Sequence, residues 1–165
     1  MIMIRNIISR IFSVLKAFAN SKTSEERFIL DNEWMMIIFS KLWNSKRVMN
    51  GLTGYELGSW LYDTRGDVPL HWWVSEKKNE CSPVFIPDQS VLTGSVHIHP
   101  IGKSRYASMP KDTDFAKKYH PDKPMYIISR YGIYKYTSSL GDEKVMSIKT
   151  FRNWYINNDS KWNND

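Results

Sequence analysis

Apolar and polar positions alternate along this chain with distinct rhythms, and each rhythm predicts an element. In residues 1–20, Ile4, Ile7, Ile8, Ile11, Leu15 and Phe18 recur at helical spacing while Arg5, Ser9, Arg10 and Lys16 take the other side. This predicts a basic amphipathic helix, suited to a membrane surface, to a docking partner, or to packing on the domain itself. Arg5, Arg10 and Lys16 interrupt the apolar run that a cleavable signal or a membrane span requires, although Ala17-Phe18-Ala19 mimics a cleavage box. A cytoplasmic protein, or one delivered to a target cell, is the expectation.

Ser21 to Arg27 is a polar break, with Thr23 or Ser24 as a helix start. From about Ser24 to Lys46, Phe28, Ile29, Trp34, Met35, Ile37, Ile38, Leu42 and Trp43 give a helix a broad apolar face, and Asn50-Gly51 with Thr53-Gly54 turns the chain. Period-two patterns then predict strands at Tyr55–Tyr62 and Pro69–Val74, joined by the turn Asp63–Asp67, and a further strand running through Val96 and Ile98 to His99. A short helix follows from Pro110, which suits a first helical position, and stops at His120-Pro121. Strands at Met125–Ser129 and Ile133–Tyr136 flank a turn at Gly132, and from Asn153 the chain reads as a polar, Asn-rich, frayed tail. The sum is an α/β (α+β) fold: a mixed, mainly antiparallel sheet, a long N-terminal helix, and a second helix packed across the sheet after the histidine strand. The domain division expected is a helix at 1–22, a folded domain at 23–152, and a tail at 153–165.

Composition narrows the class. A hydrophobic fraction of 42% with 14% aromatics belongs to a globular core, and 165 residues suffice for one. The net charge of +6 does not amount to a nucleic-acid footprint. Residues 1–50 hold eight Lys/Arg against four Asp/Glu, whereas residues 51–165 hold fifteen against thirteen, so the excess belongs mainly to the N-terminal part. The single cysteine, Cys81, excludes an internal disulfide, has no CxxC partner, and reads as incidental.

The chemistry concentrates between Gly94 and Phe115, GSVHIHPIGKSRYASMPKDTDF. On a strand, His97 and His99 share one face while Ile98 turns to the other. Two imidazoles and a nearby carboxylate, from Asp112 or Asp114, are a usual donor set for a zinc that keeps a position open for water. The plain alternative is a polar sheet face. Lys103 and Arg105 in the following loop suit a substrate carboxylate or ordinary solvation. His71 reads as a surface or core residue, and His120 as a helix C-terminal residue, not as ligands.

The run Glu56-Leu57-Gly58-Ser59-Trp60-Leu61, followed by His97-Ile98-His99-Pro100 and Pro110-Lys111-Asp112-Thr113-Asp114, resembles the JAB/MPN-plus (JAMM) metalloprotease pattern, nearest to the JAB-like domains of bacterial toxins and effectors. The resemblance spans roughly residues 50 to 140. It implies a JAB/MPN-like fold and a zinc-dependent peptidase or isopeptidase. Zn²⁺ would be held by His97, His99 and Asp114, since Asp114 lies four after Pro110 as in the family's PSxxD and precedes the apolar Phe115, whereas Asp112 suits a cap. Glu56 would be the proton-transferring base. The chain departs from the pattern twice. The interval from His99 to Asp114 is longer than usual, and Lys111 stands where the family has the oxyanion-binding serine, leaving Ser108 as the nearest substitute. A protein or peptide substrate and, for an effector, a cognate inhibitor are implied partners. Two other readings use the same residues: an inactive MPN-like protein-binding module, and a basic, aromatic-rich nucleic-acid binder.

Overall fold

The computed structural model describes residues 24–45, 55–62, 72–74, 81–83, 85–99 and 110–162. Strands β1 (Leu57–Tyr62), β2 (Trp72–Val74), β3 (Leu92–Ile98), β4 (Met125–Ser129), β5 (Gly132–Thr137) and β6 (Gly141–Met146) form one six-stranded sheet in the order β2-β1-β3-β4-β5-β6. The β3–β4 pair is parallel and the other pairs are antiparallel. A parallel pair needs a crossover, and helix α3 (Pro110–Tyr119) lies within that connection. The α+β class and the mixed, mainly antiparallel sheet are as the sequence predicts.

One face of the sheet is covered by helices α1 (Ser24–Asp31), α2 (Glu33–Asn44) and α4 (Ile148–Trp162). Ile29, Met36, Ile38, Phe39 and Leu42 of α1 and α2 meet Leu57 and Leu61 of β1, Val96 and Ile98 of β3, and Tyr126 and Ile128 of β4 in one buried core. The alternate residues of those strands face α3, where Met125 and Ile127 pack with Ala116. Both sheet faces are therefore buried, which is why β4 reads as the continuous apolar run MYIIS and not as an alternation.

Two expectations are corrected. The long helix expected from Ser24 to Lys46 is two helices, because Asn32 stops α1 and its Oδ1 accepts from the backbone N–H of Met35, capping α2 at 3.1 Å. Residues 153–162 are not a frayed tail but part of α4. Ser147 caps this helix by accepting from the Thr150 N–H at 3.0 Å, and the fully buried Phe151 anchors it edge-on against Trp43. The Asn-rich composition concealed a helix whose apolar residues, Ile148, Phe151 and Trp154, recur at helical spacing on the core side. Strand β6, for which the sequence pattern predicts no element, closes the sheet as an edge strand with Asp142, Glu143 and Lys144 exposed.

Among the described residues no helix is long and apolar enough to cross a membrane. The basic segment 1–20, His71, Lys103, Arg105 and Ser108 lie outside the described residues.

At the β2 edge, Trp73 pairs opposite Gly58, and a Cβ on Gly58 would stand 2.3 Å from the indole Cε3. Glycine is needed there because the ring occupies the volume of a side chain. Gly58→Ala is therefore expected to displace Trp73 and to destabilise the protein by about 1–3 kcal/mol, the usual cost of overpacking. Urea unfolding should show a lower midpoint with an unchanged slope.

Candidate metal centre

The site is built on the non-core face of β3. Val96 and Ile98 are spent on the core, so Ser95 and His97 project toward α3, and His99 follows in phase just past the strand end, its N–H bonded to the carbonyl of Ile128 at 2.9 Å. His97 lies opposite Gly58 on β1. Two residues back along this antiparallel pair, Glu56 comes level with His99 on the same face. His97, His99 and Glu56 are 4%, 2% and 4% exposed, so the polar set is withdrawn from bulk water.

The carboxylate that meets the histidines is Asp112, not the expected Asp114. His97 Nε2 lies 3.6 Å from Asp112 Oδ1, and His99 Nε2 lies 3.2 Å from Asp112 Oδ2. Helical phase is the reason. Asp112 shares a face with Phe115, Ala116 and Tyr119, three, four and seven residues on, which pack toward the sheet. Asp114 instead shares its face with Lys117 and Lys118, all three exposed. Nor is Asp112 a cap, since α3 begins at Pro110 and Asp112 sits within its first turn.

The two Nε2 atoms are 3.0 Å apart, so the three side chains meet in a triangle in which each carboxylate oxygen lies nearest a different imidazole. Donors on a tetrahedral zinc at about 2.0–2.1 Å stand roughly 3.3–3.4 Å from one another. Two imidazole nitrogens and a carboxylate oxygen are a donor set that could hold a metal ion of this kind. Among the described residues this is the group of His, Cys, Asp and Glu side chains that could hold a metal ion.

Beside the triangle lies a cavity of about 660 Å³, lined among others by Glu56, His97, Asp112, Trp73, Phe115 and Tyr119. Its aromatic wall is continuous: Phe115 stacks on Trp60 at 5.7 Å between ring centroids and meets Trp73 at 5.3 Å and Tyr119 at 4.9 Å. Cys81 and Asp114 border the same cavity without joining the donor triangle. The wall was not foreseen as part of a site. Its legible signal was the recurrence of Phe115 and Tyr119 in phase with Asp112, which also tells Asp112 from Asp114.

His120, just past the end of α3, is structural. Its Nδ1 lies 3.2 Å from the Lys123 carbonyl, which can only accept, so Nδ1 carries the proton and the bare Nε2 accepts from Ser95 Oγ–H at 2.9 Å. Burial holds its pKa below the ordinary histidine range.

In comparisons with protein-family models, curated proteins and solved structures, no significant match to the chain was found.

Two outcomes are expected. Reconstituted protein should bind about one zinc per chain, and Asp112→Asn should weaken zinc binding far more than Asp114→Asn, as read by elemental analysis and competition with a chelator. For His120, the unfolded chain takes up a proton more readily than the folded one, so stability should fall as pH drops through about 6.5. His120→Gln should be less stable near neutrality and should show a shallower loss below that pH in denaturant titrations at a series of pH values.

Proposed function

We propose that this protein is a zinc-dependent amide hydrolase of the JAMM type, acting on a peptide or isopeptide bond. The observation that carries the reading is the convergence of His97, His99 and Asp112 on one point beside a cavity that the buried Glu56 also lines. Asp112 shortens the interval from His99 by two residues, toward the family pattern, while it gives up the PSxxD spacing from Pro110 that Asp114 keeps. A JAB/MPN-like arrangement of the sheet and of α3 belongs to the same proposal.

His97, His99 and Asp112 would hold the metal. When bound, zinc supplies Lewis acidity that lowers the pKa of water toward about 7 and polarises a carbonyl. The chain's own contribution is to place a base and to exclude water. Glu56 takes a proton from the attacking water onto a carboxylate oxygen and returns it to the amine nitrogen as the C–N bond breaks. Its place just before β1, in the chain segment next to the histidines, keeps it near the reacting atoms without adding it to the donor triangle. The aromatic wall lowers the local dielectric, so each charge in the site acts more strongly than it would in water.

Glu56→Gln preserves size and removes the proton acceptor. Amide hydrolysis should fall by about 10²–10⁴-fold while zinc content stays at the wild-type level. Hydrolysis and metal content measured on the same preparation check this. Loss of both together would make Glu56 a ligand or a structural residue, and full activity in the variant would overturn the mechanism.

A further inference from the structure

The apolar side of the cavity has no part in the chemistry assigned to His97, His99, Asp112 and Glu56. Helix α3 carries Asp112, Phe115 and Tyr119 at i, i+3 and i+7, and all three line the cavity together with His97 and Glu56. One helix face therefore supplies both the ligating carboxylate and two aromatic rings, at separations that the helix fixes. Phe115 lies about one turn beyond Asp112 and Tyr119 about one turn further, so the aromatic strip starts beside the ligating groups and runs about 10 Å along the helix axis.

The two rings are only half-buried, although Phe115 already packs on Trp60 at 5.7 Å and on Tyr119 at 4.9 Å between ring centroids. The exposed Lys118 holds its Nζ 4.7 Å from the Tyr119 ring centre and marks the end where the strip meets solvent. The cavity thus joins a few convergent polar groups at one end to open aromatic surface along its side. In such a site the polar groups orient a ligand and the apolar wall contributes much of the contact area.

We infer that the cavity receives a large apolar or aromatic side chain, carried by the substrate residue next to the scissile amide, against Phe115 and Tyr119. The inference rests on the zinc-hydrolase reading and adds the substrate class to it. With the scissile bond at His97, His99 and Asp112, the first ring is one helical turn away, within reach of a single side chain. Glycine or alanine at that substrate position leaves both rings wet. A phenyl or isobutyl group covers them, and offset or edge-to-face ring contact adds to the gain for an aromatic side chain.

The test compares two hydroxamates with the same zinc-binding group, acetohydroxamate and hydrocinnamohydroxamate, the second carrying a phenyl ring on a two-carbon arm. Both are titrated into the full chain loaded with zinc. Calorimetry should give about tenfold tighter binding for the phenyl compound. In isotope-filtered NMR spectra its phenyl protons should show Overhauser contacts to the ring protons of Phe115 and Tyr119. Tyr119→Ala should narrow the difference between the two compounds to about threefold or less, with zinc content unchanged. Equal affinity of the two compounds, or phenyl contacts to other residues alone, overturns the inference and leaves the zinc reading intact. A chain that takes up no zinc defeats the zinc reading and this inference with it, and metal content measured before the titrations tells the two failures apart. Should Tyr119→Ala not fold, the wild-type affinities and contacts decide alone.

Discussion

Strand β3 is buried on both faces but apolar on only one, and the structure answers to that constraint. Val96 and Ile98 are buried in the helical core, while Ser95, His97 and His99 are buried just as fully on the other side. Polar groups withdrawn from water cost free energy unless they are paired. Helix α3 supplies partners at both of its ends: Asp112 in its first turn meets the two histidines, and His120 just beyond its last turn meets Ser95. The helix is thereby fixed in rotation and in height above the sheet. The same fixation that satisfies β3 determines which carboxylate reaches the histidines.

Between those two polar contacts α3 rests on aromatic rings. Phe115 lies on Trp60, and Trp60 in turn meets Trp73 and the edge of the His120 ring at 5.8 Å. The Trp60 indole N–H is spent on the Phe85 carbonyl at 3.0 Å, whereas that of Trp73 is not spent. These rings give the cavity beside His97 and Asp112 an apolar side. An apolar boundary of this kind strengthens the interactions of the charges beside it, because water at the same place would screen them.

The opposite face is tied by a different polar contact. Glu25 of α1 accepts from the Tyr126 hydroxyl and from Lys135 Nζ, both at 2.8 Å, bridging neighbouring strands β4 and β5. Burial and the adjacent carboxylate push the Tyr126 hydroxyl well above the ordinary phenol range, so it remains a donor across the accessible pH range. The helical layer is held in place by this contact and by the ring contact between Phe39 and Tyr126 at 5.7 Å. Tyr126 neighbours Met125 and Ile127, which pack on the α3 side, so the two layers meet on one strand.

What the sequence determined by itself is what depends on short-range periodicity. Alternation places His97 and His99 on one face whatever the rest of the chain does, and Pro110 starts a helix by its fixed φ and missing N–H. The strand character of β1, β3, β4 and β5 was likewise legible, since each carries its own apolar pattern. The carboxylate was legible in principle, because the phase shared by Asp112, Phe115 and Tyr119 was there to read. It was obscured by matching the spacing of a motif in place of the turn of a helix. Other features were decided only by tertiary structure. Helix α4 exists because Phe151 finds a pocket against Trp43, which outweighs the loop-like composition around it. Strand β6 exists because β5 offers it an edge. Glu56 joins His97 at one cavity only because β1 pairs with β3, and the indole of Trp73 packs over β1 only because its cross-strand neighbour there is glycine. Such pairings join residues far apart in the chain, and no local pattern encodes the distance between them.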